Sequence, residues 1–556
     1  MKPKFTSYDK LQLSVIAFAV AGATPIVGAA NIAWNTDAAS GSFSATNWTS
    51  GTTIPAAGGT ASAATGDALY FGTSATTVLN NDLVAAAFNG LTFNSGANAF
   101  TITGGAITLS GNIDNYSTAL QSIGLNIALD ANRAITATQG GGDLKVSGII
   151  SQIGANRNLA KNGSGTLTLS NANTYAGATQ INTGTLALDF SAVGAPAANI
   201  IAAASALQTA QFSNNSATAA LFSPASLVVA GLANAAGSQN FANTRIGYGA
   251  SHINTSTSGT GTVTLGLGAI VRGSGSASGL IGPTVDFSIP AGVTVNASAG
   301  AGAGVGTDNV LSSGSPFATV NGNTWATLSA GVISGLATYS ASYATAGVNL
   351  DVSTSGNTLS AAPQTIRFNT PGASVLNLGG NRIIPGILLT GAVGASETTI
   401  SGNQLQPVSN RDFTIFQNNI AGPLVINSNV VANGSGGLAK AGLGTVIAKG
   451  TYTITGGNWI NEGTLILDTA ASTPGTFIVS REATLQLGNN DALGSFTNAA
   501  PPFVRNDGTF SFKRTDTALV VSNAISGSGS ISQDGSGTTT LVGTQSYTGP
   551  TKINAG

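Results

Sequence analysis

The chain is 556 residues long, has a formal net charge of −1, and is 42% apolar with only 7% charged residues. So apolar a composition with so few charges excludes a solvated disordered chain, and the lack of a basic field excludes electrostatic capture of nucleic acid or an anionic membrane. With no cysteine and a single histidine, disulfides, Cys-based metal sites and zinc sites needing two histidines are excluded as well.

Glycine is abundant at 75 residues, β-branched residues are plentiful and helix-forming Glu, Lys and Arg are scarce. A β-rich protein with many turns follows. Residues 1–30 read as a signal peptide. Lys2, Lys4 and Lys10 form a positive start, Leu11 to Ala23 an apolar centre, and Gly28-Ala29-Ala30 a small-residue exit. The apolar stretch is short of the ~20 residues a membrane span needs. Residues 31–143 read as a β-rich cap and first coils, in which Leu91-Thr-Phe93, Phe100-Thr-Ile102 and Ile107-Thr-Leu109 place apolar side chains two apart, on one strand face. Trp34 and Trp48 are expected to close the open end of a core, with a sugar-stacking pair as the alternative.

Residues 144–190 hold the unit that organises the chain. Leu159-Ala-Lys-Asn-Gly-Ser-Gly-Thr-Leu-Thr-Leu is followed by a second Gly-Thr-Leu strand, 19 residues on from Gly165 to Gly184. Residues 191–432 form a less regular section of coils with inserted loops. Its Ala-rich start, Ser191 to Gln211, is broken by Pro196, Asn199, Ser205 and Gln208 and reads as a loop or short helix outside the coils. The unit returns in 433–470, with 19 residues from Gly444 to Gly463. Residues 471–518 are further coils, where Lys513-Arg514 reads as a solvated pair. In 519–556 a third copy reaches Gly556, where its closing strand should begin. The sequence therefore reads as part of a longer protein.

A four-residue strand such as Thr166–Leu169 cannot stay folded alone. Burying a leucine is worth ~1.5–3 kcal/mol, while ordering each residue's backbone costs ~1–2 kcal/mol. Stacked copies give each leucine apolar neighbours above and below. Asn171, Asn173 and Asn182 fall at corners, where asparagines can form ladders between coils. The expected fold is all-β, a parallel β-helix (β-solenoid).

The unit also resembles the passenger-associated transport repeat, the autotransporter-associated β-strand repeat. Lys161, Gly163, Gly165, Asn173, Tyr175, Gly177, Thr179, Ile181, Asn182 and Gly184 carry the resemblance. The second copy keeps Lys440, Gly442, Gly444 and Tyr452, but its Tyr-to-Gly spacing is 11 rather than 9. The third keeps Gly535, Gly537, Tyr547, Gly549, Thr551, Ile553 and Asn554, and Asp534 is read in place of the lysine. Leu267-Gly-Ala-Ile-Val-Arg272 and Asn323-Thr-Trp-Ala-Thr327 also resemble segments of large surface proteins that contain this repeat. The resemblance implies a right-handed β-helix passenger, exported to the cell surface or beyond with an outer-membrane β-barrel translocator as partner. Adhesion or aggregation, through surface glycans or other cells, would be its role. A polysaccharide-active β-helix enzyme or a carbohydrate-binding surface protein is the alternative.

No residue is assigned a catalytic, cofactor-binding or metal-ligating role. His252 in Ala-Ser-His-Ile-Asn lacks a neighbouring nucleophile signature and reads as a surface or loop residue. Gly304-Val-Gly306-Thr-Asp308 is half of a calcium-binding nonapeptide, but such sites need tandem copies. The glycine run at 140–142 lacks the lysine of a phosphate loop, and Arg411-Asp412 reads as a surface pair. Glycoside hydrolysis would need two carboxylates ~5–10 Å apart, and the 20 acids are scattered.

Overall fold

In Thr166–Leu169, alternation sends Leu167 and Leu169 inward and the threonines outward. The strand pairs in parallel with Gly184–Asp189, Thr166 beside Thr185 and Leu169 beside Leu188. The 19-residue spacing is therefore one turn of a coil. Thr445 beside Thr464 repeats it in the second copy. The structure is a computed structural model that describes residues 30–556 apart from 39, 53–60, 139–141, 211–223, 274–281, 301–302, 472–474 and 497–502. The signal-peptide segment and most of the 140–142 glycine run lie outside the described residues.

The protein is an all-β parallel solenoid. Among the described residues the only helical segments are two 3-10 turns, Thr307–Asn309 and Gly391–Val393. Trp34 and Trp48 are fully buried in the first coils, edge to face at 4.9 Å, which fits the capping role rather than sugar stacking. Among its described residues the Ala-rich segment forms no helix; 191–199 makes the expected outer loop of turns, with Val193 fully exposed, but the rest joins the coils. Ile200, Ile201 and Leu207 are buried, and Leu207–Thr209 pairs with Thr179–Ile181 inside the stack. Lys513-Arg514 is likewise not a solvated pair. Arg514 is buried, bonded to Asp516 and to the Gly494 carbonyl.

The pattern reads as one array, but the core divides in two. One core runs from Ile32 to Ile333 and the other from Leu350 to Ile531. The break has a cause: Thr324–Ser329 and Val332–Gly335 form an antiparallel hairpin, and the latter strand also pairs antiparallel with Val293–Ala299. A strand laid in that direction cannot extend a parallel ladder. The second stack starts at Asn349–Asp351, beside Thr365–Phe368, and has three faces of nine, ten and six strands. Asp308 of the half-nonapeptide accepts from the Asn349 amide at this joint.

The repeat's lysine points into the core. Lys161 occupies the inward column between Ile135 and Ile181 and is 1% exposed. Its Nζ donates to the carbonyls of Asn162, Gly163 and Thr183 at 2.9, 2.6 and 3.1 Å. Lys440, beside Ile460, does the same with the carbonyls of Gly442, Gly444 and Glu462. Three N–H donors thus meet three corner carbonyls in each copy. Burial pushes both ammoniums down to about 7. The third copy corrects the reading of Asp534. By register Gln533 stands beside Ile553, as Lys161 stands beside Ile181. Its Nε2 donates to Gly535 and Gly537 at 2.8 and 2.9 Å, the counterparts of Gly442 and Gly444. Gly184 turns the first copy's corner at φ +69°, where an added Cβ would lie 2.4 Å from the Gly163 carbonyl.

Asn182 donates to Asn162 of the preceding coil at 2.9 Å, a rung of the expected ladder. Asn182→Ala should cost about 0.5–1.5 kcal/mol. Hydrogen exchange should speed up in the coils around 160–185 and not at residues 31–100. Uniform acceleration along the stack would refute a local rung.

Candidate functional site

The two stacks lie side by side and run in opposite directions. Going up the first stack, Tyr248, His252, Arg272, Gly322 and Asn323 meet Trp459, Glu462, Asp412, Asn418 and Arg367 in turn. Partner numbers fall coil by coil as these rise, from 459 and 462 through 412 and 418 to 367. Trp459 lies on Tyr248, with ring centroids 5.0 Å apart. It fits because Gly282, at φ +111°, has no Cβ; one would sit 2.7 Å from the indole. Next to it, Asn461 donates to the Gly282 carbonyl at 2.6 Å.

An ion pair between Arg272 and Asp412 lies at the centre of this seam, with both side chains fully buried. Arg272 also donates to the Pro283 carbonyl and Ser313, and its guanidinium lies 4.8 Å from the Phe317 ring centroid. Asp412 also accepts from the Gly282 N–H. The reading of Arg411-Asp412 as a surface pair is therefore corrected. The first stack covers Asp412, and sequence neighbours carry no trace of a partner 140 residues away.

His252 is corrected too. It sits in the strand Ala250–Ser258, and its Nε2 is 2.6 Å from Glu462 across the seam. Glu462 is the corner residue of the repeat, Asn461-Glu-Gly463, where the first copy has Asn182-Thr-Gly184. A carboxylate at that corner is the signal by which sequence could have marked it. Its second oxygen accepts from Gly442 N–H at 3.1 Å, and its carbonyl takes the Lys440 ammonium. Asp286 stands beside His252 on the next coil and accepts from Thr319 and the Gly322 N–H at 2.6 and 2.9 Å. These groups border a cleft of about 540 Å³ between the stacks.

The cleft pulls its titratable groups apart. Burial draws His252 down, but Glu462 above all, with Asp286 and Glu482, holds it above its ordinary value. Burial works against the Glu462 carboxylate, yet His252, the Gly442 N–H and Lys440 hold it below the usual range. Burial pushes Asp286 up. Among the described residues no group of three or more His, Cys, Asp or Glu side chains is placed to hold a metal ion.

A pH dependence follows from the His252–Glu462 pair. A raised histidine contributes stability present below its unfolded value of ~6.5 and lost as pH rises through its folded value; a lowered glutamate contributes stability present above ~4.3 and lost as pH falls through its folded value. The drop in urea midpoint on His252→Gln should therefore be larger at pH 5.5 than at pH 8.5. An equal drop at both pH values would assign the effect elsewhere.

A parallel solenoid whose corners bury a caged lysine or glutamine defines a repeat-built β-solenoid protein. The family model described as passenger-associated-transport-repeat matches residues 159–188 and 531–556. The chain carries the repeat of autotransporter passengers at both places. No curated protein and no solved structure matches it.

Proposed function

We propose that the chain is an exported, surface-exposed passenger of the autotransporter type, a non-enzymatic β-solenoid that presents its flanks and loops for adhesion or aggregation. The single observation behind this reading is the repeat itself, with a 19-residue turn in two copies and a caged lysine or glutamine in all three. An outer-membrane β-barrel translocator would be its export partner, on the strength of the repeat family. The solenoid suits that route: each coil rests on its neighbour, so the chain can fold turn by turn as it emerges, and no cysteine is present to cross-link it beforehand. The domain boundaries proposed from sequence assign both matched repeats to their own segments, 144–190 and 519–556.

Labelling intact cells with an antibody against the solenoid tests the location. Staining of unpermeabilised cells and loss of the signal on brief protease treatment are expected. Staining only after permeabilisation would overturn the reading. Cells displaying the chain should also settle faster than cells without it, and equal settling would remove aggregation as its role.

A further inference from the structure

The cleft between the stacks is not explained by coil stacking. One wall comes from the first stack, with His252, Asp286 and Asn323; the other comes from the second, with Asn369, Thr390 and Glu462. The site exists only while the seam is closed. Its volume of about 540 Å³ lies within the ~300–1,000 Å³ of small-ligand sites.

From this geometry we propose that the cleft binds a short, neutral oligosaccharide. Its chemistry favours hydroxyl groups. No lysine or arginine lines it, so a sulfated or uronic glycan would meet Asp286 and Glu462 with only His252, already paired to Glu462, to balance it. The carboxylates do not form a cation trap either. Glu462 already faces His252 and the Gly442 N–H, and one Asp286 oxygen is taken by Thr319 and Gly322. What the walls offer is neutral amides. Asn369 accepts from Thr390 at 2.7 Å through Oδ1, which leaves its NH2 to donate, and Asn323 is exposed at the rim. Ile420 and Leu443, on adjacent coils of the second stack, are 77% and 63% exposed beside these amides. Together they supply an apolar surface for the C–H faces of sugar rings. A peptide suits the cleft less well. Extended peptides pair with an open sheet edge, whereas the strands of these walls, Ala250–Ser258 and Gly386–Leu389, have neighbours on both sides.

The test is made on the purified chain, so it stands or falls independently of where the protein resides. A printed array of neutral and acidic glycans is probed first, and the best neutral glycan is then titrated calorimetrically. Retention of neutral glycans is expected. Asn323→Ala and Asn369→Ala should each weaken the titrated affinity about three- to tenfold, the range of one lost hydrogen bond, with Tm unchanged. No retained neutral glycan, preference for acidic glycans, tighter binding of an extended peptide library, or affinity unchanged in both variants would each overturn the proposal.

Discussion

Arg272→Met should destabilise the closed form by about 3–5 kcal/mol, because it leaves the Asp412 carboxylate buried without its partner. Asp412 is fully covered, and among the described residues the substitution leaves it the Gly282 N–H and the more distant charge of Arg411. Removing both charges together is a different matter. Arg272→Met with Asp412→Leu replaces the pair by apolar groups, and such exchanges are often neutral or stabilising. The double variant should recover most of the loss. Urea denaturation followed by tryptophan emission checks this, since Trp459 lies against Tyr248 on the same seam. A single variant within about 1 kcal/mol of the parent would mean that the stacks do not depend on this pair.

Lys440→Met should be as costly, and Lys440→Gln should not. Methionine fits the inward column but takes the ammonium from the buried carbonyls of Gly442 and Glu462, and leaves Gly444 with the Thr464 N–H. Each orphaned acceptor costs ~1–3 kcal/mol, so a loss of about 3–5 kcal/mol is expected. Glutamine is already present at this position in the third copy, where Gln533 reaches two of the same corner carbonyls. Lys440→Gln should therefore stay within about 1–2 kcal/mol of the parent. Thermal melts of both variants decide it. Equal losses would show that the positive charge, not the caging, is what the corner requires. Reciprocally, Gln533→Lys should be tolerated.

The coils were legible because their information is local. Leu167, Leu169, Leu186 and Leu188 announce their strands by alternation, and Gly165 to Gly184 gives the length of a turn. Trp34 and Trp48 could be placed as a cap because an array must end somewhere. The seam was not legible. His252 and Glu462 are 210 residues apart, and nothing in Ala-Ser-His-Ile-Asn specifies which coil will face it. Asp534 is not the counterpart of the lysine: Lys161 lies two residues before Gly163, Gln533 lies two before Gly535, and the register places Gln533 beside Ile553. Two signals were available. Arg272 ends an otherwise apolar run at Leu267-Gly-Ala-Ile-Val, and Glu462 puts a carboxylate at a corner where the first copy has threonine. A charge in a chain with so few charged residues marks a place where something must answer it. Here the answer comes from the neighbouring stack.

The folded-back arrangement also bears on how the molecule carries load. Two slender prisms that slide freely bend independently, and their stiffnesses simply add. Once Arg272–Asp412, Asn461–Gly282 and the Tyr248–Trp459 stack resist sliding, the pair bends as one thicker beam. Stiffness then depends on shear at the seam rather than on the strength of any one coil. Pulling the stacks lengthwise past each other would load these contacts together, while peeling them apart from one end would load them one after another. An adhesive protein of this shape would hold against drag along its axis and yield to a sideways lift.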